Sequence, residues 1–220
     1  MFNIAIDGPG GAGKSSIAKA VSRELGFIYV DTGALYRAVG LYALKNNIDT
    51  KDVAKIEEML KNVSVDIKFV KDEQRVMLNG EDVSLEIRLP ETSMAASNVS
   101  AIPAVRSFLF DLQRRLAEEN NCLMDGRDIG TVVLPNADLK IFLTASAKAR
   151  AQRRYDELIL KGQDVKFEDI LEDLNIRDYQ DTHREIAPLK AASDAIVLDT
   201  TDLSFDEVKS KIKKMVEERI

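Results

Sequence analysis

Eight residues near the N-terminus restrict this chain more than any other feature: Gly8-Pro-Gly-Gly-Ala-Gly13-Lys14-Ser15 matches G-x-x-x-x-G-K-[ST] in full. An apolar run, Phe2–Ile6, precedes the match and ends at Asp7-Gly8, as a buried strand entering a turn does. Ile17, Val21 and Leu25 follow at helical spacing, with Gly26 as a stop, so the spacing predicts a helix over Ser15–Leu25. Between strand and helix, Gly8, Pro9, Gly10, Gly11, Ala12 and Gly13 can wrap an anion with inward N–H groups that Cβ atoms would obstruct. The helix start, with Ser15 and Ser16, adds its positive dipole end. Lys14 supplies a point charge for the β- and γ-phosphates, and the Ser15 hydroxyl is a natural Mg²⁺ ligand. The segment is therefore expected to hold the phosphates of a nucleoside triphosphate.

The following residues extend the same architecture. Phe27–Val30 reads as a second strand, and Asp31-Thr-Gly opens a helix running to about Asn46. Strand, helix, strand, helix in this order implies a parallel sheet covered on both faces. The pattern then switches to period 2, with Val63, Val65, Ile67 and Phe69 alternating with polar residues. Arg75–Leu78 runs into Asn79-Gly80, a strong hairpin signal, so about 63–88 reads as a small antiparallel insert mounted on the core. A helix is expected over Pro103–Glu119, core strands at Cys122–Asp125, Leu139–Leu143 and Ala195–Leu198, and a last helix from about Phe205 to Glu218. The fold class is α/β, in a single domain spanning 1–220.

Composition narrows the function. The net charge of −6 disfavours a dedicated nucleic-acid binder, which needs basic surface, so a phosphate ligand calls for a local arginine cluster. One cysteine, Cys122, rules out an intrachain disulfide and fits a reducing, cytoplasmic setting. No apolar run reaches the roughly 20 residues that span a bilayer, and no signal peptide is visible, so no membrane association is expected. A phosphate loop alone does not separate kinases from switch GTPases or motor ATPases. An N-K-x-D guanine-reading segment is absent, whereas Arg37, Arg127, Arg177 and Arg184 are available to grip a second set of phosphates as bidentate forks. The single histidine, His183, reads as a solvated helix residue. With no evident nucleophile–base pair, a phosphate acceptor fits better than a hydroxyl, because its second pKa near about 6 leaves it largely ionised at neutral pH.

Three further segments carry a resemblance: Asp31-Thr-Gly-Ala-Leu-Tyr36-Arg37, Asp125-Gly-Arg-Asp-Ile-Gly-Thr-Val-Val133, and Asn175-Ile-Arg-Asp with Ala187-Pro-Leu. Together with the phosphate loop they make the chain resemble the bacterial cytidylate kinases, within the nucleoside monophosphate kinases, over essentially its whole length. The resemblance implies a three-layer P-loop fold with a five-stranded parallel sheet, an insert at about 63–100 that binds the monophosphate, and a helical lid at about 148–166. It implies transfer of the ATP γ-phosphoryl group to CMP or dCMP by a monomer, with Mg²⁺. Thr32, Tyr36, Arg37 and Arg127 then belong along the acceptor phosphate; Ser97, Arg106 and Asp128 around cytosine; Arg177 and Asp181 near the sugar; and Arg184 also at the acceptor site. Asp125, at the end of a core strand, is assigned near Mg²⁺ or substrate. Among Arg150, Arg153 and Arg154 of the lid, Arg153 is assigned to the transferring phosphoryl group, beside the alternative that this face is merely solvated. Gln180 and Thr182 stand where some relatives are more basic. A kinase for UMP or AMP, and a non-catalytic nucleotide-binding regulator, remain open.

Overall fold

The structure is a computed structural model that describes residues 1–71 and 73–220. In chain order its regular elements are β1 (Asn3–Asp7), α1 (Lys14–Leu25), β2 (Ile28–Asp31), α2 (Thr32–Lys45), α3 (Val53–Leu60), β3 (Val65–Val70), β4 (Glu73–Leu78), β5 (Glu81–Asp82), α4 (Pro90–Ser100), α5 (Pro103–Glu119), β6 (Cys122–Gly126), β7 (Leu139–Thr144), α6 (Ala147–Leu160), α7 (Phe167–His183), β8 (Ile196–Asp199) and α8 (Phe205–Glu217). A 3-10 turn at Glu86–Arg88 precedes α4, and a π-helical turn at Ile129–Val133 follows β6.

Five strands form one parallel sheet in the order β2-β6-β1-β7-β8. Its two faces bury alternate residues, as the pleat requires. Ala5, Val30, Cys122 and Met124 face α2 and α5, while Ile4, Ile6, Leu123, Ile141 and Leu143 face α1 and α8. The central strand β1 therefore ends, at Asp7, between two fully covered layers. All five strands point the same way, so the loops after β1, β2, β6, β7 and β8 gather at one edge, where ligands of open α/β sheets bind.

The insert is the separate antiparallel sheet β3-β4-β5. Asn79 and Gly80, with φ of 49° and 88°, make the tight turn between β4 and β5. Its expected start shifts from Val63 to Val65, and its alternation is imperfect, since both Phe69 and Val70 are exposed. The insert is not independent of the core: Ile67, Val76, Leu78, Val83 and Ile87 pack into the same cluster as Val30 and Met124. Gln74 fixes it further by accepting from the Asp31 backbone N–H at 2.8 Å and donating to the Asp31 carbonyl at 3.2 Å. Helices α6 and α7 pack on each other around Ala151, Leu158, Ile170 and Leu174, a small apolar cluster of their own. Among the described residues no helix is long and apolar enough to cross a membrane.

Candidate active site

The phosphate loop follows β1 directly. Gly8 has φ 149°, and a Cβ there would lie 1.9 Å from the Leu143 carbonyl oxygen, so only glycine fits where the loop passes β7. Gly11 and Gly13 also have positive φ, 75° and 87°. These angles curl the chain so that α1 begins at Lys14 with its N-terminal amides at the edge of the sheet. The Lys14 ammonium donates to the Pro9 carbonyl at 2.7 Å, spanning the loop it closes. Burial, followed by repulsion from Arg127, lowers its pKa to about 7. An anion in the loop would offset both effects.

Beside the loop, Asp125 is the penultimate residue of β6 and is 3% exposed. Its carboxylate accepts from the Ser15 hydroxyl at 2.7 Å and the Tyr29 hydroxyl at 3.1 Å. Burial and then the neighbouring Asp31 raise its pKa to about 6, against the pull of Lys14. An exposed hydroxyl beside a buried carboxylate gives hard oxygen donors suited to Mg²⁺, which keeps most of its shell as water and phosphate oxygens.

On the other side of Asp125, Thr32 donates to its carbonyl at 2.8 Å, and Asp31 caps α2 by accepting from the Ala34 amide at 3.0 Å. The Asp31 carboxylate also faces Arg37 at 3.7 Å and Arg88 at 2.9 Å. Burial alone would raise its pKa, but the two guanidinium groups hold it below the usual range. Arg127 pairs with Asp181 of α7 at 2.7 Å. Arg106 of α5 pairs with Asp128 and lies 5.7 Å from the Tyr36 ring centroid. Arg184 reaches the other oxygen of Asp128 at 3.3 Å. Burial raises the Asp128 pKa against these two cations, whereas at Asp181 the arginines, Arg127 foremost, outweigh burial and the carboxyl stays low.

These groups line one cleft of about 840 Å³ that runs from the phosphate loop to α4 and α7. Eight arginines and two lysines line it against five carboxylates, which makes it a cationic trough in an acidic protein. Two buried donors in it, Arg37 Nη1 and Arg177 Nε, have no hydrogen-bond partner. Burial, then Arg127, lowers the Arg177 pKa to about 10. Unpartnered buried guanidinium hydrogens call for an anion.

The structure gathers Thr32, Tyr36, Arg37, Ser97, Arg106, Asp125, Arg127, Asp128, Arg177, Asp181 and Arg184 around this trough with Gly10–Ser16. Arg153 also lines it, but its guanidinium donates to the Thr200 hydroxyl at 3.1 Å and to the Thr200 carbonyl, at the mouth formed with Phe205 and Val208. The arginine-rich face of α6 is not uniformly solvated: Arg150 is 4% exposed, while Arg154 pairs with Glu157 at 2.8 Å in partial contact with solvent. His183 is exposed and stacks on Tyr179 at 4.0 Å between centroids, outside the lining of the cleft. Three participants escaped the sequence reading. Arg88 carried no motif. Asp7, whose carboxylate accepts from the Ile129 and Gly130 amides at 2.7 Å each, was signalled only by ending a strand before the glycines. Arg150 was indistinguishable from its neighbours without burial.

The cytidylate kinase family model matches residues 4–218. The curated cytidylate kinase of Caldicellulosiruptor bescii is 54% identical over 97% of this chain and 95% of its own length. Those of Lactobacillus johnsonii and Bacillus subtilis are 48% and 46% identical over 100% and 99% of the chain, and 95% and 97% of their own. Among solved structures, an uncharacterised protein from Eubacterium ventriosum superposes with a TM-score of 0.55 at 14% identity over the full length of both chains, a likeness of fold. With a phosphate loop and an arginine-lined trough in one cleft, and full-length relatives of this kind, the chain belongs to the cytidylate kinase family.

Proposed function

We propose that the protein transfers the γ-phosphoryl group of ATP to CMP or dCMP, giving ADP and the corresponding diphosphate, in the cytoplasm and as a single copy of the chain. The observation that carries this reading is the continuity of the cleft. The loop closed by Lys14 opens into the trough holding the unpartnered Arg37 and Arg177 donors, so two phosphate groups can meet end to end. An oxygen of the acceptor phosphate attacks the γ-phosphorus, the bond to the β–γ bridging oxygen breaks, and the electron pair leaves with ADP. No base is required, because the acceptor is already largely ionised near neutral pH. Lys14 holds the β- and γ-phosphates, Arg37 and Arg127 hold the acceptor, and Arg177 fills the space between them. Ser15, with Asp125 beside it, would hold Mg²⁺, which neutralises phosphate charge when bound.

Arg106 and Asp128 support the choice of base. Cytosine offers acceptors at O2 and N3 and a donor at N4, and a guanidinium beside a carboxylate complements that set, whereas uracil reverses part of it. The segment at about 148–166, which is α6 and the turn after it and packs on α7 through a separate apolar cluster, acts as the lid. Because Arg150 ties the first turn of α6 to the phosphate loop, the movable part begins beyond Ala151. In a coupled ADP-release assay, CMP and dCMP should stimulate turnover well above UMP and AMP. Lys14→Ala should lose transfer by on the order of a hundredfold or more while keeping its fold by circular dichroism. Near-normal turnover in that variant, or equal rates with all four monophosphates, would reject the reading.

A further inference from the structure

Arg150 is bonded to the phosphate loop from outside the lining of the cleft. Its Nη1 donates to the Gly10 carbonyl at 2.8 Å, its Nε to the Ala145 carbonyl at 2.9 Å, and its Nη2 to Asp178 of α7 at 2.5 Å. One planar fork therefore joins the loop, the end of β7 and α7. The loop rests against the same residue elsewhere, since a Cβ on Gly11 would lie 3.2 Å from the Arg150 Cβ. On α7, Asp178 precedes Asp181 by three residues, which sets the two on one face, and it follows Arg177 directly in the chain. Gly10 meets that face too: a Cβ there would lie 3.6 Å from Arg127 Nη2 and 3.9 Å from Arg177 Nη1. The second oxygen of Asp178, Oδ1, is buried without a donor, so this carboxylate has an unused valence for a second arrangement.

We propose that Arg150 and Asp178 are positioning residues that transmit occupancy of the phosphate loop to the acceptor side, making binding of the triphosphate and the monophosphate cooperative. The proposal rests on the kinase reading above. A loop reshaped around phosphate moves the Gly10 carbonyl. The rigid fork carries that displacement to α7, and Arg177 and Asp181 are re-aimed with it. Linkage makes the effect reciprocal, so each nucleotide tightens the other by the same factor.

The test is calorimetric titration of CMP, with and without a non-hydrolysable ATP analogue and Mg²⁺, into the wild type, Arg150→Lys and Asp178→Asn. Lysine keeps the charge but places all its donors on one nitrogen, so it cannot span the three acceptors that the guanidinium reaches from three nitrogens, and asparagine keeps the shape while losing the charge. The analogue should tighten CMP binding to the wild type on the order of tenfold. That factor should fall to within about twofold of unity in either variant, and the double variant should lose no more than one single variant. Retention of the wild-type factor in both variants, with only a lower melting temperature, would make the pair a structural brace and overturn the proposal. A wild type that binds both nucleotides without mutual effect would also overturn it. A wild type that binds no CMP would instead overturn the substrate assignment beneath it.

Discussion

Asp7 illustrates how much one buried carboxylate can do without touching a ligand. Its two oxygens take the Ile129 and Gly130 amides, fixing the turn that follows Arg127 and Asp128. Burial raises its pKa from 3.8 to about 6, with the two amide bonds opposing. A group whose folded pKa is raised contributes proton-linked stability that is complete below about pH 4 and lost as pH climbs through about 6. At about 1.4 kcal/mol for each step of one on the pH scale, the loss is on the order of 3 kcal/mol. Urea denaturation of the wild type and Asp7→Asn at pH 4 and pH 7 should show the wild type losing about that much relative to the variant. A difference independent of pH would mean that Asp7 titrates normally. At this scale the sequence announced residues held in motifs, such as Lys14, Arg37 and Asp128. It gave no distinct part to Asp7, Arg88 or Arg150, whose parts depend on burial and on partners about 55 to 140 residues away along the chain.

At the scale of elements, periodicity located every strand of the main sheet to within a residue or two, because those strands are short apolar runs between glycines and acids. Helix α3 went unread: Val53, Ile56, Met59 and Leu60 recur at helical spacing, but eight residues are too short a run for that spacing to stand out. The contact between α2 and α4 was equally hidden, although it sets one wall of the cleft. Gly40 sits in α2 where a Cβ would come 2.9 Å from the Ala95 Cβ and 3.1 Å from the Ala95 carbonyl carbon. Alanine at position 40 would gain about 1 kcal/mol in helix propensity. Overpacking against backbone costs about 1–3 kcal/mol, and that term wins because a helix axis must shift. Gly40→Ala should therefore destabilise the protein by about 1 kcal/mol in urea. It should also raise the KM for CMP more than that for ATP, since α4 carries Ser97 and the Ser100 carbonyl that receives Arg106. An unchanged KM for CMP would show that α4 is not a wall of that site.

For the whole molecule, the sequence order of the strands and their spatial order are at odds. β1 is at the centre of the sheet, yet its neighbours β6 and β7 are made more than a hundred residues later, and among the described residues β2 pairs only with β6. During synthesis at about 5–20 residues per second, β1 and β2 therefore wait on the order of ten seconds with no strand to pair with. Neither can close a ladder before residue 122 has left the ribosome. Ribosome-arrested chains ending at residue 121 should be digested by a mild protease, whereas full-length chains released from the ribosome resist it. Resistance at the shorter length would indicate that the insert and its helices fold on their own. The segment that must stay undocked throughout this wait is the phosphate loop itself, so the newborn enzyme is exposed to aggregation and to chaperones until its midpoint emerges.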